Sequence, residues 1–80
     1  MWNVYILKSE STGRFYKGST EDLDVRLKSH NAGKVKSTMA FRPWVVHYSE
    51  SFEDKADALK RERFLKTRSG WRWLKRSNII

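Results

Sequence analysis

Five side chains of this chain are of types that move protons or hold phosphate, and packing alone does not ask for them where they stand. Glu62 is the sharpest case. In "ALKRERFLK" the residues Ala58, Leu59, Glu62 and Leu65 follow the spacing of a single helical stripe, so a carboxylate sits among residues that should face a core. It is also the only acid between Ala58 and Ile80, amid Lys60, Arg61, Arg63, Lys66, Arg68, Arg72, Lys75 and Arg76. Burying an unpaired carboxylate costs on the order of several kcal/mol, so Glu62 needs a cation or donors. Two readings are open. One is an ion pair with Lys66 one turn on, or with Arg61 or Arg63. The other is a carboxylate ligand for Mg²⁺, which is often held by one or two carboxylates plus waters and substrate phosphate.

Arg26 and His30 are four residues apart in "DLDVRLKSHN" and are therefore neighbours on a helix surface. A guanidinium grips phosphate with paired donors, and an imidazole donates or accepts a proton near neutral pH. A solvated basic face ending in a histidine is the plainer reading. Tyr5 in "VYIL" and Tyr16 in "FYKG" are strand aromatics, most simply core. As a general base a phenol needs a nearby cation, because its ordinary pKa near ~10 leaves little phenolate at neutral pH. Jointly, the five match the needs of phosphodiester hydrolysis: a metal, an activated water, a cation on the phosphate and a partner for the leaving group.

The elements that must position them follow from pattern. "WNVYILKS" reads as a strand over Trp2 to Lys8, "ESTG" as a turn, and Arg14 to Lys17 as a second strand. With a loop at Glu10 to Gly13, Leu7 faces Tyr16, and Tyr5 lies diagonal to Tyr16 on the same face. Alternation turns Lys17 to the other face. Gly18, Ser19 and Thr20 read as punctuation, with Ser19 or Thr20 capping a helix that holds Glu21 and Asp22 in its first turn. That helix runs to about Asn31 and stops at Gly33. A basic loop, Lys34 to Arg42, leads to the only proline, Pro43. Trp44 to Ser49 reads as a third strand and Glu53 to Thr67 as a second helix, which Gly70 breaks. "WRWLKRS" then forms a short helical tail. The order β-β-α-β-α-α implies an α+β fold, a small three-stranded antiparallel sheet flanked by helices.

Eighty residues make a single domain, 1–80, with a thin core, since a chain this size buries only roughly 60% of its unfolded surface. The four Trp, four Phe and three Tyr must supply much of that core, together with Leu, Ile and Val. With no cysteine, disulfides and cysteine-bound zinc are excluded. Nothing resembles a basic leader or a membrane helix, and a cytoplasmic address is expected. Seventeen Lys and Arg against nine Asp and Glu give a net charge of +8 and a pI near 10.1. Such a surface attracts polyanions, and the interleaved aromatics favour nucleic acid over a membrane.

The order of these residues resembles the GIY-YIG nuclease superfamily along nearly the whole chain. Two short strands centre on tyrosines, "VYIL" and "FYKG". A helix bears Arg26, with His30 four residues later, and a later helix bears Glu62. "HNAGK", "RPW" and "YSESF" are further matching pieces. The first motif departs by having Asn3 and Val4 where a glycine is usual, and the second has Lys17 in place of isoleucine. The resemblance implies a small stand-alone endonuclease acting on DNA, with branched and single-stranded forms as candidate substrates, in repair or processing, as a monomer or weak homodimer. It further implies one divalent ion, Mg²⁺ or Mn²⁺, on Glu62, with Tyr5 as base or water-orienting group. Arg26 would sit on the scissile phosphate, with Tyr16 and His30 assisting. Nucleic-acid contacts are expected from Lys17, Lys34, Lys36, Arg42, Arg61 and Lys66. Trp71 and Trp73 are candidates for stacking on unpaired bases. The alternative is a catalytically weak nucleic-acid-binding module that uses the same basic surface.

Overall fold

A computed structural model describes residues 1–80. Strand β1 (Trp2–Ser9) runs down the centre of a three-stranded sheet, with β2 (Phe15–Thr20) on one side and β3 (Trp44–Phe52) on the other. Both pairings are antiparallel. Helix α1 (Leu23–Asn31) and the loop after it cover one face, while α2 (Lys55–Leu65) and α3 (Arg68–Arg76) cover the other. Being covered on both sides explains why β1 is apolar without interruption through "VYIL" rather than alternating. Val4 and Ile6 pack with Ala58, Leu65 and Leu74. Tyr5 and Leu7 pack with Trp44, and around them stand Tyr16, Leu23, Leu27 and Phe41. Among the aromatics only Tyr5 and Trp44 are fully buried. The others collar a core made chiefly of aliphatic side chains.

The hairpin register is the expected one: Leu7 opposes Tyr16 and Tyr5 opposes Gly18. Gly13 in the turn adopts a left-handed φ of 76°. Several boundaries differ from expectation, among them the start of α1 at Leu23, which leaves Glu21 and Asp22 outside its first turn, and α2 at Lys55–Leu65 in place of Glu53 to Thr67. β2 continues to Thr20, because Ser19 and Thr20 pair with Val4 and Asn3. Neither residue therefore caps α1. That role falls to Asp22, whose carboxylate accepts the Val25 amide at 3.1 Å. β3 likewise runs on to Phe52, held by pairing with Trp2. The break between the last two helices lies at Lys66 and Thr67, not at Gly70.

Gly70 sits inside the first turn of α3, with its amide donating to the capping hydroxyl of Thr67 at 3.1 Å. It is there for contact. A Cβ at Gly70 would lie 2.0 Å from the Phe64 carbonyl oxygen and 2.7 Å from Leu65 Cα. Helix propensity alone favours Gly70→Ala by about 1 kcal/mol. The backbone clash, which no rotamer relieves, outweighs that gain. Urea denaturation is expected to show a net loss of about 3 kcal/mol as α3 is pushed off α2. A more stable variant would show that the two helices are not held this closely.

Candidate functional site

The Tyr5 side chain rises from the central strand and crosses β2 at Gly18. A Cβ on Gly18 would come within 2.6 Å of the Tyr5 hydroxyl and 3.3 Å of the Tyr16 ring. The glycine of "FYKGST" is therefore an opening in the edge strand through which a phenol passes, and not a strand-ending turn. The two phenol rings lie side by side at 6.3 Å between centroids.

Helix α1 brings two groups to that hydroxyl. Arg26 Nε donates to it at 3.4 Å, and His30 Nε2 stands 3.2 Å away. The His30 ring also meets the Tyr16 ring edge-on at 4.9 Å. His30 Nδ1 is 2.8 Å from the Thr38 hydroxyl, which donates its own proton to the Val35 carbonyl. One arrangement that fits these contacts puts the imidazole proton on Nδ1, facing Thr38. Nε2 is then left to accept from Tyr5. In that arrangement Tyr5 Oη accepts from a cation and donates to a neutral base.

Electrostatics agree with this assignment. Burial pushes the Tyr5 pKa up, against the opposing hydrogen bond from Arg26, and the charge of Glu62 pushes upward too. Burial and the neighbouring Arg26 charge push His30 down. The Tyr5 hydrogen bond holds Arg26 up. At neutral pH the group is a guanidinium, a phenol and an uncharged imidazole.

Glu62 reaches the same edge strand from the opposite face. Ser19 Oγ donates to Glu62 Oε1 at 2.5 Å, and Lys66 Nζ pairs with Oε2 at 2.8 Å. The Lys66 partner is the one expected for an ordinary helical pair. Burial raises the Glu62 pKa, but the hydrogen bonds from Lys66 and Ser19 outweigh it, and the carboxylate stays ionised below its usual range. No cluster of three or more His, Cys, Asp or Glu joins it. The chain therefore offers a hard divalent cation one carboxylate. Such a donor fits Mg²⁺ or Mn²⁺ arriving with waters and phosphate oxygens, and does not fit a cage built from protein alone.

The basic residues divide. Lys34 and Lys36 are exposed on the loop after α1. Arg42 braces that loop, its Nε donating to the Met39 carbonyl at 2.7 Å. Lys17 lies on the face away from Tyr16, as alternation requires, with Lys66 as a like-charged neighbour. Arg61 is paired within the fold. Its guanidinium holds both Glu50 oxygens, at 2.8 and 3.0 Å, and covers the Trp73 ring. Tyr48 donates to the same carboxylate, and burial followed by that bond pushes the phenol up to about 12. Arg61 thus ties α2 to β3 through Nε and one terminal nitrogen.

Sequence reasoning missed Thr38, Ser19 as a Glu62 donor, and Asn31. The Asn31 amide clamps Trp44 by accepting from its N–H at 2.6 Å and donating to its C=O at 2.9 Å. Only Ser19 left a trace, since alternation from Lys17 puts it on the α2 face once the strand is extended. Thr38→Val keeps the shape but removes the acceptor for His30 Nδ1–H, at an expected cost of about 1–3 kcal/mol. The ¹⁵N chemical shifts of His30 should then show mixed tautomers. An unchanged Nδ1–H pattern would contradict the assignment.

The chain is similar to known proteins along most of its length. Residues 1–75 match the GIY-YIG catalytic domain. A UPF0213 protein of Staphylococcus haemolyticus is 41% identical over 73 residues, covering 90% of this chain and 88% of that protein. A UPF0213 protein of Staphylococcus aureus is 43% identical over 65 residues, covering 80% and 78%. The solution NMR structure of the UPF0213 protein BH0048 from Bacillus halodurans superposes with a TM-score of 0.54 at 33% identity, covering 92% of this chain and 82% of that one. No helix is long and apolar enough to cross a membrane.

Proposed function

This chain belongs to the GIY-YIG catalytic domain family, and from that premise we propose that it is a divalent-metal-dependent endonuclease that hydrolyses DNA phosphodiester bonds. The observation that carries the reading is the bonding around Tyr5: one phenol oxygen held between the Arg26 cation and the neutral Nε2 of His30.

In this reading the scissile phosphate lies along the β2 edge, between the Tyr5 group on one face and Glu62 on the other. Arg26 keeps its terminal guanidinium nitrogens for the phosphate oxygens while its Nε orients Tyr5. Tyr5 accepts a proton from the attacking water as it passes its own to His30 Nε2. An uncharged phenol can thereby act as a base without first becoming phenolate. Thr38 holds the imidazole so that the receiving nitrogen faces Tyr5. Tyr16 packs against His30 and limits water there. Glu62 is the residue that would hold Mg²⁺ or Mn²⁺, kept ionised by Ser19 and Lys66. When bound, the ion supplies Lewis-acid neutralisation of the phosphate charge. The chain carries one such group, so a monomer nicks one strand per event. Lys34, Lys36 and Arg42 support the duplex side of the substrate.

The decisive experiment incubates the purified chain with labelled single-stranded, blunt-duplex, flap and branched DNA, in Mg²⁺, Mn²⁺ or chelator. The expected result is cleavage that chelator abolishes. Binding without cleavage under every metal condition would instead establish a nucleic-acid-binding module on a nuclease frame.

A further inference from the structure

Trp71 has no part in the group around Tyr5. It lies on α3 and is 43% exposed, whereas Trp73 two residues on is half-buried beneath Arg61. Two ammonium groups stand over the exposed indole, Lys17 Nζ at 5.8 Å and Lys75 Nζ at 5.1 Å from the ring centre, where a stacking base would displace one of them towards its phosphates. They come from different elements, since Lys17 stands on β2 and only Lys75 on α3. Lys17 is half-buried there, and burial, followed by the like charge of Lys66, pushes its pKa down. Neither Lys17 nor Lys75 has a carboxylate partner, and the nearby Glu62 is already held by Lys66 and Ser19. The fold thus brings one lysine from β2 and one from α3 to a single exposed indole, with no acid to balance either. The indole face attracts both cations, and an incoming polyanion relieves the repulsion between them.

The patch is continuous with the proposed active site. Lys17 and Ser19 point to the same side of β2, roughly 7 Å apart along the strand. Ser19 is bonded to Glu62. A base stacked on Trp71 would have its phosphates beside Lys17 and its chain leading towards Glu62. Only an unpaired base can present its face to an indole, because bases in a duplex are already stacked on their neighbours. From these positions we infer that Trp71, Lys17 and Lys75 form a stacking site for an unpaired nucleotide, so that the substrate carries a single-stranded segment next to the scissile bond. This rests on the nuclease reading for the direction of the chain, and it adds the substrate class.

Binding measured in chelator separates the two. Fluorescence anisotropy with labelled oligo-dT and with a blunt duplex is read for the full chain and for Trp71→Ala, Trp71→Phe and Lys17→Ala. Trp71→Ala is expected to weaken oligo-dT binding by roughly tenfold to a hundredfold and leave duplex binding within about twofold. Trp71→Phe, which keeps an aromatic face, retains most of the affinity and covers the case in which the alanine variant folds poorly. Lys17→Ala reduces the slope of log affinity against log salt by about 0.7 for the single strand. The inference is overturned if Trp71→Ala or Trp71→Phe affects both ligands equally, if Trp71→Ala affects neither, if oligo-dT does not bind, or if polyglutamate displaces it as well as unlabelled oligo-dT does. Chelator removes cleavage from the readout. A chain that binds in this pattern but never cuts refutes the nuclease reading alone, and one that cuts with Trp71 indifferent refutes only the stacking site.

Discussion

Glu62→Gln is expected to lower metal-dependent DNA cleavage by about three orders of magnitude while the chain stays folded. The size follows from the several kcal/mol that a metal ion contributes to stabilising phosphate charge, at about 1.4 kcal/mol per tenfold in rate. Stability should hardly move. Glutamine keeps a carbonyl oxygen for the Ser19 hydroxyl and loses only the pair with Lys66, whose side chain is 52% exposed. Exposed helical pairs of this kind contribute about 0.3–0.5 kcal/mol. Urea denaturation of both proteins therefore separates the two effects, and Lys66→Ala serves as a control that removes the pair but keeps the carboxylate. Cleavage at the wild-type rate in Glu62→Gln would remove Glu62 from the metal role, however well the rest of the site behaves.

Tyr5→Phe tests the other face of the sheet. Phenylalanine fills the same space against Leu7 and Trp44, but His30 Nε2 loses its donor and Arg26 Nε its acceptor. General-base catalysis typically contributes 10²–10⁴-fold, and a loss of about that size is expected. The pH profile sharpens the test. His30 takes the Tyr5 proton only when neutral, and burial and Arg26 lower its pKa. A lowered pKa keeps His30 neutral further into acid. The wild-type rate should therefore hold at neutral pH and fall only below the ordinary histidine value of about 6.5. In Tyr5→Phe the residual rate should lose that acid limb, since His30 no longer receives a proton through the phenol. An acid limb centred above neutral pH, or full activity in the phenylalanine variant, would break the proposed proton path.

Each of these differences traces to a contact that periodicity along the chain does not mark. Gly18 looks like punctuation in "FYKGST", because glycine after a strand residue usually is. In the fold it lies within a paired strand, and the reason for it is the Tyr5 phenol from the neighbouring strand. Gly70 looks like a helix breaker, yet it stands inside α3 because the end of α2 lies against it. Arg61 looks like one more surface cation, but Glu50 from β3 claims it. Thr38, in a loop without periodicity, carried no mark at all until the loop folded over His30.

What the sequence determined by itself is local or periodic. Alternation in "VYIL" and "FYKG" placed two phenols on one face, the four-residue step put Arg26 beside His30, and the helical stripe isolated Glu62 as an acid out of place. Local geometry repeats every two or 3.6 residues, so identity and spacing are enough to read it. The tertiary structure decided which faces meet. It set Glu62 across the β2 edge from Tyr5, chose Ser19 and Lys66 to hold it, and brought Thr38 against His30 Nδ1. Those pairings depend on how strands and helices stack, and stacking is fixed by the sum of many side-chain contacts whose partners no spacing along the chain identifies.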